Sequence, residues 1–147
     1  TRWRPDVVVL VLAGQVLAPY EGMSSRIESR GPDIDLPPKT ALAFSMVLHE
    51  LVTNAAKYGA LSSPQGRLSI QWKFDQQTSN VHLDWNEYGV LGMSKPTKTG
   101  FGTRLIHATI THELRGNFDV AYHSDGVRYS MNWPLESTVI GGLNDFR

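Results

Sequence analysis

The chain has 147 residues, a length that suits one domain with a single packed core. Its 14 Lys and Arg balance its 14 Asp and Glu, which argues against the broad basic field that nucleic-acid phosphates require, so no nucleic-acid partner is expected. With no cysteine, disulfide frameworks, thiolate zinc sites and cysteine nucleophiles are excluded, and the cytoplasm is the default expectation for this segment.

The longest apolar run, Val7 to Ala13, falls well short of the ~20 residues of a membrane span, and Thr1 to Pro5 does not resemble a signal peptide. No membrane contact by this chain is expected, whether or not a longer parent is anchored elsewhere. Asp6 is placed to cap a helix from Val7 to about Ala18 that Pro19 ends, although the β-branched run Val7-Val8-Val9 also suits a buried strand. Arg26 to Ser29 and Asp33 to Leu36 look extended, and Gly31-Pro32 between them reads as a turn in a hairpin-like excursion. Pro37-Pro38 opens the longest helical pattern, Lys39 to Tyr58, and Gly59 suits a left-handed terminating position.

Ser62 to Gly66 is turn chemistry. Leu68, Ile70, Trp72 and Phe74, then Val81, Leu83 and Trp85, alternate with polar residues, so two half-buried strands are predicted to meet around Asp75 to Asn80. Gly89 to Gly100 reads as a long mobile loop, followed by a helix from about Thr103 to Leu114 that Gly116 breaks. Asn117 to Tyr122 and Val127 to Trp133 are the last two strands, around a Ser124-Asp125-Gly126 turn. Strands and helices mix without strict alternation, which predicts an α/β sandwich with helices on one face of a mixed sheet.

The segment His49 to Tyr58 carries the chemistry. At about 100° per residue, Glu50, Asn54 and Lys57 fall within roughly 60° of one another, beside an apolar arc of Phe44, Val47, Leu48, Leu51 and Ala55. A carboxylate, an amide oxygen and an ammonium together can serve phosphoryl transfer, since the amide ligates Mg²⁺, the ammonium offsets phosphate charge and the carboxylate acts on a nucleophile. A solvated helix face with Glu50–Asn54 or Asn54–Lys57 pairing uses the same spacing, and the segment alone does not choose. His49-Glu50 begins like a zinc-protease helix, but Thr53 stands where the second histidine is required.

The run His49 to Ser62 resembles the N box of the HWE subfamily of histidine kinases, within the GHKL ATPase superfamily. That subfamily is marked by this histidine and by a Trp-x-Glu, which here is Trp85-Asn86-Glu87, followed by Gly89. Gly100-Phe101-Gly102-Thr103-Arg104-Leu105-Ile106 is similar to the second glycine box, where glycines and a helix N-terminus let backbone approach phosphates. The resemblance covers roughly Val7 to Leu135 and implies a two-layer GHKL (Bergerat) sandwich, with residues 1–6 joining an upstream domain and 136–147 forming a tail.

Carried over to this chain, the resemblance implies that ATP and Mg²⁺ are the cofactors. Asn54 binds Mg²⁺, Lys57 approaches the phosphates, and Glu50 polarises the accepting imidazole. Glu87 accepts a hydrogen bond from the adenine amino group, Gly89 clears room for the base, and Gly100, Gly102 and Thr103 lie against the phosphates. Tyr58 and Leu105 complete the ATP-binding set. His49 enters the catalytic pair with Glu50 as a signature residue, although a histidine beside an apolar helix face also serves packing.

The subfamily continues Gly-Pro where this chain has Val90-Leu91, which puts the loop path and ATP use in question. His112 to Arg115 resembles the opening of a phosphoacceptor box, but Gly116 stops the helix there, so it reads as a surface helix terminus. No other histidine stands in an acceptor helix. The implied partner is therefore an upstream dimerisation and phosphoacceptor domain, and through it a response regulator. The competing readings are a serine-phosphorylating or nucleotide-hydrolysing relative of the same fold, and a degenerate module that docks partners and uses ATP weakly or not at all.

Overall fold

A computed structural model of the chain describes residues 7–90 and 101–135, with backbone alone at 7–11 and 101. Residues 1–6, 91–100 and 136–147, which include Gly100, most of the expected mobile loop and the expected tail, lie outside the described residues.

The first element corrects the sequence expectation. Val7–Val8 is a two-residue strand, β1, and helix α1 occupies Val9–Leu17 before a run of 3₁₀ turns over Ala18–Arg26, broken at Tyr20. The β-branched pair takes the extended path because it has a partner: Val7 lies opposite Leu36 and Val8 opposite Asp35. Strands β2 (Ile27–Arg30) and β3 (Asp35–Leu36) form no hairpin with each other. Strand β3 pairs antiparallel with β1, and β2 joins the main sheet in parallel.

Helix α2 runs Pro38–Tyr58, with proline at its first turn as the sequence implies. Strands β4 (Arg67–Asp75) and β5 (Asn80–Tyr88) form the expected antiparallel hairpin, with Ile70 opposite Trp85 and Leu68 opposite Glu87. Helix α3 spans Phe101–Ala108 and widens into a π-helical turn over Thr109–Glu113. Strands β6 (Asn117–His123) and β7 (Gly126–Pro134) complete a five-stranded mixed sheet of order β2-β4-β5-β7-β6.

Alternation along the strands decides the layers. Leu68, Ile70, Val81, Leu83, Trp85, Met131 and Trp133 point to one face and share a single core with Phe44, Leu48, Leu51 and Ala55 of α2 and Ile106 of α3. The Phe44 ring lies 4.9 Å from Trp133. Burying each such large side chain contributes roughly 1.5–3 kcal/mol, so this interface holds α2 rigidly across the sheet. The architecture is a two-layer α/β sandwich with helices on one face. Among the described residues no helix is long and apolar enough to cross a membrane.

Candidate functional site

Helix α2 carries two chemically different regions separated along its axis. The first is around Glu50 and Asn54. Both side chains are half-buried, and no hydrogen bond or ion pair joins either to another described side chain. The N-terminal turn of α3 faces them: a Cβ added at Gly102 would stand 2.7 Å from Glu50 Oε2 and 3.7 Å from Asn54 Oδ1. Glycine at 102 therefore lets the α3 backbone close on the carboxylate and the amide oxygen. Helix α2 and the first turn of α3 meet there.

The other residues expected at this end vary in placement. Lys57 and Tyr58 are exposed at the last turn of α2, Tyr58 by 71%, and His49 is exposed. Leu105 is half-buried on α3. Thr103 lines a shallow groove with Arg104, His107 and Phe118, on the side of α3 toward β6. Among the described residues no cluster of three His, Asp or Glu could cage a metal.

The second region lies at the C-terminal end of α2 by Gly59, nine residues past Glu50 and five past Asn54, or roughly 8–14 Å at 1.5 Å per residue. Glu87 is the last inward residue of β5, in step with Val81, Leu83 and Trp85, and is 1% exposed. The Ala60 N–H donates to its Oε1 at 2.9 Å, and the Trp85 indole N–H donates to its Oε2 at 2.8 Å. Glu87 thus lies inside the domain, with each carboxylate oxygen already engaged. Burial raises its pKa, more than those two hydrogen bonds lower it. Tyr122 and Tyr129 beside it are raised as well, by burial first and by the Glu87 charge second.

Gly59 is needed here for a reason other than the one its position implies. Its backbone is not left-handed, with φ −119° and ψ −146°, yet a Cβ at 59 would overlap Glu87 Oε1 and approach Ala55 Cα at 3.1 Å. Glycine ends α2 because the carboxylate occupies the space. Gly89 does take a positive φ, +77°, and packs on Gln65 O, while Ser63 Oγ donates to Gly89 O.

Two contributors to this end escaped the sequence reading, and a third was read only in part. Arg26 Nη1 donates to Ser63 O at 2.7 Å and Gly66 O at 2.8 Å, pinning the turn against which Gly89 rests. Nothing local in the sequence joins residue 26 to residue 66. The Ala60 N–H is a backbone donor and carries no residue-type signal. Trp85 was legible only as a signature, although its position two residues before Glu87 puts both on one strand face. Val90 takes no positive φ and donates its N–H to Asp125 O at 2.9 Å, so β-branching is accommodated without strain at that position.

No family model matches the chain. A blue-light-activated histidine kinase from Brucella anthropi is 34% identical over 131 residues, 87% of this chain and 27% of that protein. The chain belongs to the histidine kinase family. Its His49 and Trp85-x-Glu87 are the markers of the HWE type. The histidine kinase domain of the Erythrobacter litoralis blue-light-activated histidine kinase superposes with a TM-score of 0.68 at 13% identity, covering 97% of this chain and 70% of that one. The catalytic domain of histidine kinase ThkA gives 0.64 at 15% identity, covering 90% and 97%. The fold is the GHKL sandwich of these catalytic domains, and the chain spans about a quarter of the length of the curated relatives it matches.

Proposed function

We propose that this kinase domain, residues 7–135, binds Mg²⁺-ATP along α2 and transfers the γ-phosphoryl group to a histidine on a separate upstream domain. The observation that carries the reading is the closure of Gly102 on Glu50 and Asn54, which joins a carboxylate, an amide oxygen and a helix N-terminus at one point. Asn54 would ligate Mg²⁺, Lys57 would offset phosphate charge, and Gly100, Gly102 and Thr103 would offer backbone to the phosphates. Leu105 and Tyr58 would flank the nucleotide. At the other end each oxygen of Glu87 keeps a second lone pair after serving Ala60 and Trp85, so the carboxylate can still accept from the adenine amino group, with Gly89 leaving room for the base.

In the transfer an imidazole nitrogen attacks Pγ and the bond from Pγ to the β–γ bridging oxygen breaks. ADP leaves with the electron pair, and Glu50 takes the imidazole proton, with His49 adjacent to it on the helix. The acceptor would lie upstream of residues 1–6, which would lead to it, and 136–147 would be a tail. His112 stands exposed in the π-helical turn that ends α3, with Arg115 at φ 58° and β6 beginning at Asn117, which is no place for a dimerising acceptor helix. ThkA forms a complex with the response regulator protein TrrA. A response regulator is accordingly the downstream partner proposed here, in the cytoplasm.

Calorimetry of the chain with Mg²⁺-ATP, followed by labelled ATP with the acceptor domain supplied in trans, tests the reading. Binding and acid-labile phosphate on the acceptor, with none on this chain, are expected. Absence of heat and of a thermal shift at millimolar nucleotide would leave a partner-docking module instead.

A further inference from the structure

Glu87 is a buried carboxylate served by two groups that can only donate. An indole N–H and a backbone N–H have no lone pair to accept a carboxyl proton, and each hydrogen bond they donate favours the ionised carboxylate over the protonated form. Gly59 closes the side of the carboxylate along Oε1, in the space a Cβ would need. Trp85 itself is fully buried in the core, so its indole N–H cannot turn elsewhere. The other titratable groups against Glu87 among the described residues, Tyr122 on β6 and Tyr129 on β7, are raised and stay neutral phenols at neutral pH.

We infer that Trp85 is the positioning residue for base selectivity: with Ala60 N–H it holds Glu87 as an acceptor-only carboxylate that accepts a purine with a 6-amino group and rejects one with a 6-oxo group. The inference rests on the nucleotide reading above and deepens it. A 6-amino group donates to the free lone pairs of Glu87. A 6-oxo group presents a second acceptor to a fixed anion, leaving both unpaired in a buried place. Without the indole N–H the carboxyl is free to rotate and to carry a proton, and a protonated carboxyl can donate to a 6-oxo group. Trp85 therefore acts on the difference between bases and not on nucleotide binding at large.

The experiment is competitive displacement of a fluorescent ATP analogue by ATP and by GTP, on the whole 147-residue chain and on Trp85→Phe. The unaltered chain should prefer ATP on the order of 100-fold. Trp85→Phe should cut that ratio about tenfold, the equivalent of one hydrogen bond to a charged group. A tryptophan that serves only packing would weaken both nucleotides alike and leave the ratio unmoved, and that result in a folded variant overturns the inference. Should Trp85→Phe not fold, the Trp85 indole ¹H–¹⁵N resonance of the unaltered chain decides. Saturating ATP should shift it, and a resonance untouched by saturating ATP overturns the inference. Failure of the unaltered chain to bind either nucleotide would instead sink the function proposed above.

Discussion

The two ends of α2 are built on opposite terms. At its C-terminal end Glu87 is enclosed, doubly hydrogen-bonded and walled by Gly59, and the adjoining turn is pinned by Arg26 across 37 to 40 residues of chain. Midway along the helix Glu50 and Asn54 are half-exposed and hydrogen-bonded to no described side chain, with the Gly102 backbone closing on them. A buried polar group must be satisfied to persist, whereas a half-exposed one can leave its partners to water. The base end is therefore preorganised and coupled to stability. On the function proposed above, the phosphate end is left open for charge brought by ligands and for an incoming nucleophile.

The largest effect that tests this contrast is kinetic. Glu50→Gln should lower phosphoryl transfer to an acceptor domain in trans by about 10²–10⁴-fold, the range for a positioned general base, while ATP affinity changes by less than about threefold. Single-turnover transfer with labelled ATP, beside calorimetry, separates the two. Equal losses in both would place Glu50 in nucleotide binding and blur the contrast.

A matched pair of glycine substitutions comes next. Gly59→Ala drives a Cβ into a locked carboxylate and toward Ala55 Cα, so it should cost about 1–3 kcal/mol in urea unfolding. Gly102→Ala crowds the free end of the Glu50 side chain and makes ordinary contact with Asn54 Oδ1, so it should cost less than about 0.5 kcal/mol and reduce transfer. Similar destabilisation by both would show that the phosphate end is as rigid as the base end.

A smaller change is expected of Asn54→Ala: about tenfold weaker Mg²⁺-dependent ATP binding, with stability unchanged or slightly raised because alanine favours the helix interior. Titration with and without EDTA reads the metal-dependent part. A loss that survives chelation would remove Asn54 from the metal.

These differences also explain what the sequence could disclose. The period-2 alternation of Leu68 to Phe74 and Val81 to Trp85 marks strands whose partner is the next element, and the apolar arc of α2 marks its core face, so the sandwich was legible. The extended path of β2 was legible but its pairing was not, because its parallel partner β4 lies some 40 residues away and nothing local selects it. Nor was β1, whose extended path depends on Asp35 and Leu36. That Glu50 and Asn54 share a helix face was readable because a helix places them by rotation alone. The enclosure of Glu87 follows from the same alternation that buries Trp85, but its two donors depend on how Ala60 and Trp85 pack. Gly59 was read as a backbone conformation when it is a space.

The smallest effect concerns pH, and its sign is set by the buried carboxylate. Burial raises Glu87 above the ordinary value of 4.5, outweighing the hydrogen bonds from Ala60 and Trp85. A group raised in the folded state contributes stability that is complete below its unfolded value and lost as pH rises through the folded one. Glu87→Gln removes that titration, and its amide NH₂ must oppose either the Ala60 or the Trp85 N–H, a pH-independent penalty of about 1–3 kcal/mol. The stability of the unaltered chain minus that of Glu87→Gln should thus be greatest below pH 4.5 and shrink as pH rises, by at most about 1.4 kcal/mol per pH unit. Other titrating groups are common to both proteins and cancel in the difference. Paired urea melts across the acid-to-neutral range read it, and a difference that grows with rising pH would mean that the two donors outweigh burial at Glu87.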